Sequence, residues 1–394
     1  MNFSYWEQKS LIADCEFVIA GAGITGLCAA LELRKLHPKA RILVLERGKL
    51  PSGGSTKNAG FACFGSLSEM LDDVKTLGED GVLKLVEMRW KGLNNLRSLL
   101  GDNALGYEPC GNFELFRPQD EGLKELCFNA MHQWNEKLRD IVGPEVFGIK
   151  STEGRGQISN KVASALHGVL QNFNKTENPK NNPFTGALFN KYEGKLQSGA
   201  MMKALLDKSR SENIEVWFGF EIQEYEEKSD GVELLLEEGI LKCSQFLIAT
   251  NAFAKQLVPE LEMRPARNQV LLTSPIPNNP WNAAYHIDRG YFYFRELDGR
   301  ILVGGGRHIA GATEYTDQFG TTDEVRKILT DLLDQYVLPG IPYKIEMAWS
   351  GILGLGPDRS VIVKRISERV TCAVRMGGMG VAIGSVMGRD LARI

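Results

Sequence analysis

The hydrophobic pattern of the first 47 residues predicts a strand, a helix and a second strand. Residues 17–20 form a short apolar run, and residues 42–45 form another. Between them, over 24–36, apolar residues such as Leu27 recur at helical spacing. The chain therefore begins with a strand–helix–strand unit.

The rest of the pattern predicts alternating helical and strand-rich regions. Antiparallel-looking strands lie between strand–helix–strand segments at both ends, which predicts two domains that the chain crosses repeatedly. A polar stretch at 171–183 predicts an exposed loop. Strands are predicted near 105–117, through 249 and over 264–310. Helices are predicted over 66–100 (two helices), 119–140, 196–212 and 321–337, and from about residue 380 to the end.

Composition and charge exclude several classes of protein. The 394 residues are 43% apolar and 24% charged, as in ordinary globular proteins, and a net charge of −3 gives no reason to expect a nucleic-acid partner. No apolar run approaches the roughly 20 residues that span a bilayer, and the amino terminus lacks the apolar core of a signal peptide. We expect a cytoplasmic protein without a membrane span.

The cysteines and histidines give no sign of a metal site. Seven cysteines are scattered without C-x-x-C spacing, which is typical of reduced thiols. The motifs H-E-x-x-H and G-x-S-x-G do not occur, so zinc-hydrolase and serine-hydrolase functions have little support. We expect no metal.

A glycine motif opens the first predicted helix. Gly21, Gly23 and Gly26 form G-x-G-x-x-G between strand and helix, where a tight turn and close approach to a pyrophosphate require glycine. The amino terminus of the helix attracts phosphate. Glu46 ends the second strand, where a carboxylate accepts hydrogen bonds from ribose hydroxyls. The motif predicts dinucleotide binding and leaves FAD and NAD open.

The loop "PSGGSTKNAGFACFG" (51–65) favours FAD. Ser55, Thr56, Lys57 and Asn58 offer polar donors, and the glycines free backbone N–H groups. Such a loop suits a ligand that extends past the pyrophosphate with a polar ring edge, as the isoalloxazine of FAD does. The alternative is a solvated surface loop.

The carboxyl-terminal segment "RMGGMGVAIGSVMGRDLARI" supports the same cofactor. Gly377 and Gly378 precede a helix that begins near Gly380, so its amino terminus is free to face the flavin. Gly384 and Gly388 continue a smooth helix face, which simple helix packing also explains.

These segments together resemble a known family. The chain is similar to the superfamily of FAD-dependent amine oxidoreductases that includes D-amino-acid oxidase, glycine oxidase and sarcosine oxidase. The matching segments occur in the order of the family over nearly the whole chain. They are "VIAGAGITGLCAALEL…VLERG", "GGSTKNAGF", "FLIATNAF", "RPARNQVLLTSPI", "GYFYFRELDGRILVGGGRH", "WSGILGLGPDRSVIV" and "MGGMGVAIGSVMGRDLA".

The resemblance implies an α/β fold with a Rossmann-like FAD-binding domain and a second α+β substrate domain built on an antiparallel sheet. The FAD-binding domain would be discontinuous (1–104, 186–268 and 346–394), and the substrate domain would comprise 105–185 and 269–345. The residues expected to bind FAD are Gly21, Gly23, Ile24, Thr25, Gly26, Glu46, Arg47, Ser55, Thr56, Lys57, Asn58, Ala59, Gly60, Ile222, Ala249, Thr250, Asn251, Gly378, Met379, Gly380, Val381 and Ala382.

The resemblance also implies oxidation of a carbon–nitrogen bond, with hydride transfer to flavin N5 and hydrolysis of the imine in water. The partners would be a small amine or amino acid and either O2 or another electron acceptor. Tyr291, Arg307 and His308 are the candidate catalytic residues, and Arg307 suits a carboxylate because it can bind one through two hydrogen bonds. Tyr293 and Arg295 are further pocket candidates.

Several positions depart from the family pattern. No cysteine lies in "WSGILGLGPD", so FAD is expected to be non-covalent. Gly304 stands where some oxidases place a lysine that assists oxygen, and Leu353 lies near the position where others place an arginine for the substrate carboxylate. A basic residue that some relatives have near Ala382 is also absent. Two alternatives therefore stay open. Beside the oxidation of a carbon–nitrogen bond, these are a flavin dehydrogenase of a hydroxy acid or glycerol phosphate, and a flavin-binding protein with a degenerate substrate site.

Overall fold

The computed structural model describes residues 3–13, 15–149 and 183–394. Within them, two eight-stranded sheets and one two-stranded sheet carry the fold. Of the polar loop predicted at 171–183, only residue 183 belongs to the described residues.

The first large sheet has a parallel core. Its main path runs β17-β18-β11-β1-β2-β8, with β9 and β10 attached to β11 as an antiparallel extension. The strands are β1 (Cys15–Ala20), β2 (Ile42–Glu46), β8 (Glu215–Phe218), β9 (Glu224–Glu227), β10 (Val232–Leu236), β11 (Gly239–Ile248), β17 (Ile362–Arg365) and β18 (Val370–Val374). The parallel strands end at one edge, where ligands of such sheets bind.

The second large sheet is mostly antiparallel and has the order β16-β12-β15-β14-β13-β4-β6-β5. Its strands are β4 (Asn112–Phe116), β5 (Phe147–Ile149), β6 (Gly186–Asn190), β12 (Arg264–Thr273), β13 (Ala284–Ile287), β14 (Phe292–Leu297), β15 (Arg300–Gly305) and β16 (Ile345–Leu355). Two short strands, β3 (Phe61–Ala62) and β7 (Gly194–Lys195), pair separately.

The predicted helices are confirmed, including the pair over 66–100, because Gly78 interrupts the long helix with a positive φ of 68°. The helices are α1 (Tyr5–Glu7), α2 (Ile24–Leu36), α3 (Gly54–Lys57), α4 (Leu67–Leu100), α5 (Asp102–Leu105), α6 (Glu121–Leu138), α7 (Ser198–Ser211), α8 (Arg307–Ala310), α9 (Asp323–Leu332) and α10 (Gly380–Leu391).

The two terminal segments of the chain pack together beside the first sheet. Helix α10 lies so close to α2 that a Cβ at Gly384 would come within 2.9 Å of the Ile24 side chain. A Cβ at Gly388 would overlap the carbonyl oxygen of Thr25. The glycine spacing of α10 thus serves helix packing, and this packing places the amino termini of both helices at the same edge of the sheet.

An aromatic stack supports the outer face of the second sheet. The ring of Tyr285 lies between Phe294 and Phe113, with centroids 4.7 and 5.5 Å away. Side chains alternate along a strand, so the neighbouring residues His286 and Tyr293 point to the opposite face. That face is turned toward the first sheet.

Sheet membership crosses the predicted domain boundaries. Strands β6 and β16 and the first half of β12 were assigned to the FAD-binding domain, but they belong to the second sheet. Each of these strands pairs with a strand of the second sheet, β6 with β4 and β16 with β12. The boundaries at 186, 268 and 346 therefore stay a prediction.

The described residues contain no candidate membrane span, metal-binding cluster or disulfide. No described helix has the length and apolar character needed to cross a membrane. Within the same residues, no group of three or more histidine, cysteine or acidic side chains is placed to hold a metal ion. None of the seven cysteines, all in the described part of the chain, forms a disulfide.

Candidate active site

A cavity of about 610 Å³ lies between the two large sheets. One end, called here the glycine end, is formed by Gly21, Gly23, Gly377 and Gly378 at the carboxyl edge of the parallel strands. The other, called the aromatic end, contains Phe61, Tyr291 and Tyr293. A volume in this range suits a large ligand.

The glycine motif forms a tight turn into α2. Gly21 has a φ of +100°, and a Cβ at Gly26 would overlap the Gly21 carbonyl oxygen. Gly23 precedes α2 and gives it no side-chain cap. The first N–H groups of a helix lack intrahelical partners, so this turn presents donors and a partial positive charge to the cavity.

Glu46 and Arg47 line the cavity beside this turn. The buried carboxylate of Glu46 accepts hydrogen bonds from the backbone N–H groups of Ala22 (3.1 Å) and Gly48 (3.0 Å). The Arg47 guanidinium lies 3.8 Å from the centroid of the Phe253 ring. Glu46 is thereby fixed at the end of β2, where a dinucleotide ribose binds in Rossmann-like sheets.

The loop at 53–60 uses most of its polar side chains on itself. Asn58 donates to the carbonyls of Gly54 (3.1 Å) and Ser55 (2.8 Å), and it accepts from the Gly60 N–H (2.8 Å). Ser55 Oγ accepts from the Ile24 N–H at 3.0 Å. These side chains therefore stabilise the loop and join it to α2. The sequence alone did not distinguish this structural role from contact with a ligand.

The carboxyl-terminal glycines complete the same end of the cavity. Gly377 and Gly378 have φ values of +54° and +89°, conformations that favour glycine. Met379 caps α10 without a side-chain hydrogen bond, so the first turn of this helix also presents free N–H groups. Helices α2 and α10 therefore both direct their amino termini at the cavity.

The structure brings the predicted FAD-binding residues together around one cavity. All of them line it except Gly26, Thr56 and Gly60. Gly26 packs under the turn, and Thr56 donates to the Pro51 carbonyl at 2.7 Å. Gly60 lies where its carbonyl accepts from Arg295.

The cavity fits FAD on two observations of its wall. Thr250 lines it and has a buried Oγ1 for which the described residues supply no hydrogen-bond partner. At Gly21 a Cβ would stand 3.0 Å from the Ala249 carbonyl oxygen, so the turn packs closely against the end of β11 and has room only for glycine, as a pyrophosphate-binding turn requires. The phosphates would lie at the α2 terminus, the ribose at Glu46, and the flavin between loop 53–60 and the second sheet.

A row of residues crosses the inner face of the second sheet. His286, Tyr293, Gly304, Val270 and Trp349 are paired in register across β13, β14, β15, β12 and β16. Directly paired residues share one face of a sheet. His286, Tyr293 and Val270 line the cavity, and Trp349 Nε1 donates to the Lys57 carbonyl at 3.1 Å. The row therefore covers the loop expected to hold the flavin.

Gly304 gives space to the ring of Tyr293. A Cβ at Gly304 would lie 2.5 Å from the Tyr293 ring and hydroxyl. Asn268 Nδ2 donates to that hydroxyl at 2.7 Å, which holds the ring across β15. Burial raises the pKa of Tyr293 above its usual value, so the hydroxyl stays protonated. The ring lies beside the position where some oxidases carry a lysine.

Five arginines line the cavity, and Arg307 differs from the others. Arg359 is paired with carboxylates, as are Arg47 and Arg289, and Arg264 lies over the Tyr315 ring. For half-buried Arg307 the described residues supply neither a carboxylate, nor a hydrogen-bond acceptor, nor a ring. Its guanidinium is therefore available to an anion from solution.

His308 and Arg295 occupy supporting positions. His308 does not line the cavity. Its Nε2 lies 3.4 Å from Asp288, and its ring stacks on Tyr291 with centroids 4.5 Å apart. Arg295 is buried and donates to the carbonyls of Gly60 (2.6 Å) and Leu196 (2.8 Å). These contacts hold Tyr291 and loop 53–60 in place.

Sequence reasoning missed a charged cluster at the aromatic end. Arg359 forms ion pairs with Glu69 and with Asp73 (2.9 Å), and Arg89 binds Glu69 at 3.1 Å. Burial raises the pKa of Asp73 to about 6. Burial also acts to raise the pKa of Glu69, but Arg359 and Arg89 lower it below its usual value. No local motif marks these residues, since α4 and the loop after β16 meet only in the folded chain.

His286 is a further residue that sequence reasoning missed. It is buried, lines the cavity, and lies edge-on to Phe61 at 5.4 Å between centroids. Burial lowers its pKa to about 4, so the ring is neutral at physiological pH. Its position on β13, in register with Tyr293, is the signal that a correct strand pairing would have provided.

Comparison with known proteins places the chain in a wider group. Residues 16–394 match the family DAO, described as FAD dependent oxidoreductase. The probable oxidoreductase OrdL of Haemophilus influenzae is 21% identical over 408 residues, covering 97% of this chain and 83% of that protein.

Solved structures show the same fold. L-proline dehydrogenase from P. horikoshii has a TM-score of 0.72 at 17% identity, covering 97% of this chain and 93% of that chain. Glycine oxidase from Geobacillus kaustophilus has a TM-score of 0.70 at 17% identity, covering 96% and 94%. Iminodiacetate oxidase from Chelativorans sp. BNC1 has a TM-score of 0.71 at 17% identity, covering 96% and 94%. The predicted fold class is confirmed.

Proposed function

Because the chain belongs to the DAO family of FAD-dependent oxidoreductases, we propose that it oxidises the carbon–nitrogen bond of an amino acid or a related amine that carries a carboxylate. The predicted family, the enzyme class and the cofactor FAD are confirmed by the family match over nearly the whole chain. Non-covalent attachment, predicted from the missing cysteine, is typical of the family.

The observation that carries the proposal is Arg307. It lines the aromatic end of the cavity without a partner among the described residues. It lies close enough to Tyr293 for its charge to oppose the rise that burial causes in the pKa of the Tyr293 hydroxyl. An unpaired guanidinium binds a carboxylate through two charge-assisted hydrogen bonds. A substrate anchored there would hold its amine-bearing carbon against the inner face of the second sheet.

The chain would contribute positioning to this reaction. FAD bound in the cavity would supply the hydride-accepting chemistry. Arg307 would hold the carboxylate, and the rings of Tyr291, Tyr293 and Phe61 would enclose the donor carbon and exclude water. The imine that results hydrolyses in solution. Two of the proteins with the same fold, L-proline dehydrogenase and glycine oxidase, are named for amino-acid substrates, which supports this substrate class.

We propose further that O2 is a poor electron acceptor for this enzyme. Gly304 carries no side chain, and the Tyr293 ring fills the space beside it. Lys57 is the only lysine of the described chain that lines the cavity, and it belongs to loop 53–60 rather than to β15, the strand of Gly304. A dehydrogenase with another acceptor fits this arrangement better than an oxidase.

Anaerobic reduction of the flavin tests the proposal. The purified yellow holoprotein is mixed with amino acids, with their decarboxylated amines, with hydroxy acids and with glycerol phosphate. Loss of the visible flavin absorbance is measured by stopped flow. We expect amino acids to bleach the flavin faster than the amines that lack the carboxylate, and hydroxy acids not to bleach it.

Each of the other results identifies an alternative. Reduction by hydroxy acids or glycerol phosphate alone would show the dehydrogenase of an alcohol. No reduction by any compound of the panel would show a flavin-binding protein whose substrate site has degenerated. Rapid reoxidation by air after amino-acid reduction would contradict the proposal on the electron acceptor.

A further inference from the structure

A chain of three buried side chains leads away from the cavity wall. His286 Nε2 lies 2.5 Å from Asn112 Nδ2, and the same Nδ2 lies 2.8 Å from Glu193 Oε2. His286, Asn112 and Glu193 are 6%, 3% and 1% exposed. The three side chains come from β13, β4 and the turn before β7, so the second sheet brings them together.

The other carboxylate oxygen of Glu193 is already occupied. Oε1 accepts hydrogen bonds from the backbone N–H groups of Phe64 (2.8 Å) and Gly65 (3.0 Å). A proton on Glu193 therefore has to sit on Oε2, which faces Asn112. An ionised Glu193 instead accepts from the Asn112 amide at the same oxygen.

The ionised carboxylate determines one tautomer of His286. Asn112 then turns its NH2 group to Oε2, and this group also faces the Nε2 of His286. Nε2 has to accept, so the single proton of the neutral ring sits on Nδ1. His286 then presents a hydrogen-bond donor to the cavity.

The protonated carboxyl determines the other tautomer. Its O–H requires an acceptor, which Asn112 supplies when the amide rotates by half a turn and exchanges Oδ1 and Nδ2. Oδ1 then also accepts from His286 Nε2–H, and Nδ1 presents a lone pair. In the orientation described, Asn112 Oδ1 is buried without a partner among the described residues. Half a turn puts Nδ2 in that place, so neither orientation gains a hydrogen bond there.

We propose that the protonation state of Glu193, relayed by the orientation of Asn112, determines whether His286 offers a donor or an acceptor to a ligand in the cavity. This part of the inference rests on the proposed function, in which the ligand is the substrate amine. When Glu193 is protonated, His286 Nδ1 accepts a hydrogen bond from an N–H group of that amine. His286 is thereby a substrate-contacting residue, and Asn112 and Glu193 are positioning residues.

Charge and burial place the protonation change of Glu193 near physiological pH. Burial, together with the negative charge of Glu69, raises the pKa of Glu193 to about 8 against the opposing effect of its N–H donors. Because burial lowers the pKa of His286, the ring stays neutral through this range. The charged and titratable groups around the relay are Glu69 and Arg89 on α4, Cys63 before it, Tyr107, and Lys195 on β7. Lys195 is engaged by Glu108 and Glu296.

The tautomer is measured directly on the holoprotein, without any substrate. Long-range 15N–1H NMR of histidine-labelled protein distinguishes Nδ1–H from Nε2–H, and His286→Gln identifies the signal. We expect the Nε2–H tautomer at pH 6.5 and the Nδ1–H tautomer at pH 9.5, with the change from one to the other near pH 8. His132→Gln, at an exposed site on α6, is the matched control and leaves the His286 signal unchanged.

Glu193→Gln gives the decisive variant. The N–H groups of Phe64 and Gly65 hold the amide oxygen of the new side chain, so its NH2 faces Asn112 as the protonated carboxyl does. We expect Nε2–H at every pH. The proposal is overturned if the tautomer of the wild type is constant from pH 6.5 to 9.5. It is also overturned if the tautomer of Glu193→Gln still changes with pH.

Flavin reduction tests the substrate contact. Comparing wild type with Glu193→Gln at one pH cancels the ionisation of the amine itself. We expect equal apparent Kd at pH 6.5 and roughly three- to tenfold tighter binding by Glu193→Gln at pH 9.5, the effect of one hydrogen bond. Equal Kd at both pH values contradicts the contact. If no amine reduces the flavin of the wild type, the proposed function fails. The NMR result still shows whether Glu193 controls the tautomer of His286.

Discussion

Behind each end of the cavity lies a glycine, and the two glycines are required for different reasons. At the glycine end, Gly26 has no side chain because the backbone of Gly21 occupies the space. At the aromatic end, Gly304 has none because the ring of Tyr293 occupies it. The first end is built from backbone and helix termini, and the second from side chains that distant strands bring together. A backbone cannot move aside, whereas a side chain can, so substitutions at the two ends should differ in severity.

The largest expected effect is at Gly26. Gly26→Ala places a Cβ into the Gly21 carbonyl and forces the turn away from its conformation. We expect purified protein without bound FAD, or no folded protein, measured by the visible absorbance per polypeptide. Gly199→Ala is the control, because no atom lies within 4 Å of the added Cβ in the first turn of α7. A yellow Gly26→Ala protein with normal FAD content would contradict the assignment of a backbone-built cofactor site.

Arg307 is expected to have the next largest effect, confined to the aromatic end. Arg307→Ala removes the unpaired cation, so kcat/KM for an amino acid should fall roughly 10- to 100-fold, the worth of a charged hydrogen-bond pair. FAD content should not change. Arg326→Ala, which removes the same charge from the exposed side of α9, is the control for net charge.

Two comparisons sharpen the result for Arg307. Arg307→Lys keeps the charge without the planar fork, so it should recover part of the loss. The decarboxylated amine should be oxidised equally by wild type and Arg307→Ala. If the variant lost activity on both substrates alike, the carboxylate contact would be wrong.

The same contrast explains how far sequence reasoning reached. The glycine end lies in short continuous segments, such as 21–26 and 377–380, whose spacing states a backbone requirement. The aromatic end depends on pairing: His286 meets Asn112 only because β13 lies beside β4, and Arg359 reaches Glu69 only across the fold. Periodicity shows that a strand exists, but it does not show which strand lies next to it.

The role of loop 53–60 shows the same limit within the glycine end. The sequence predicted a polar loop near the flavin, and the structure places this loop at the wall of the cavity. The sequence did not show that the Asn58 amide donates to the carbonyls of Gly54 and Ser55, because hydrogen bonding within a turn depends on the exact path of the backbone. Residue type alone does not show whether a polar side chain donates to a ligand or stabilises its own loop.

A smaller effect is expected at Gly304, where the obstacle is a side chain. Gly304→Ala forces the Tyr293 ring to shift, at a cost of about 1–3 kcal/mol in the free energy of unfolding. FAD content should remain normal while anaerobic flavin reduction slows roughly tenfold, because the displaced ring misplaces the donor carbon. Gly148→Ala on β5 of the same sheet, with no atom within 4 Å of the new Cβ, is the control. Loss of FAD from Gly304→Ala would remove the distinction between the two ends.

The smallest expected effect is a pH dependence of stability from the buried carboxyl behind the aromatic end. Burial raises the pKa of Glu193 from its ordinary 4.5 to about 8. Between these values the unfolded chain releases the proton and the folded chain keeps it, so the folded state binds more protons and loses stability as the pH rises. The contribution of this group to stability is complete below pH 4.5 and is lost by about pH 8.

Glu193→Gln removes that dependence, since its amide does not ionise in either state. The melting temperature of Glu193→Gln relative to wild type should therefore rise between pH 5 and 8, by on the order of a few degrees, and level off above pH 8. Glu237→Gln, at an exposed turn, is the control and should leave a constant difference across the same range. A difference that stayed flat for Glu193→Gln would mean that the carboxyl is already ionised in the folded protein at pH 5. The three N–H donors would then outweigh burial, and His286 would offer a donor to the cavity at every physiological pH.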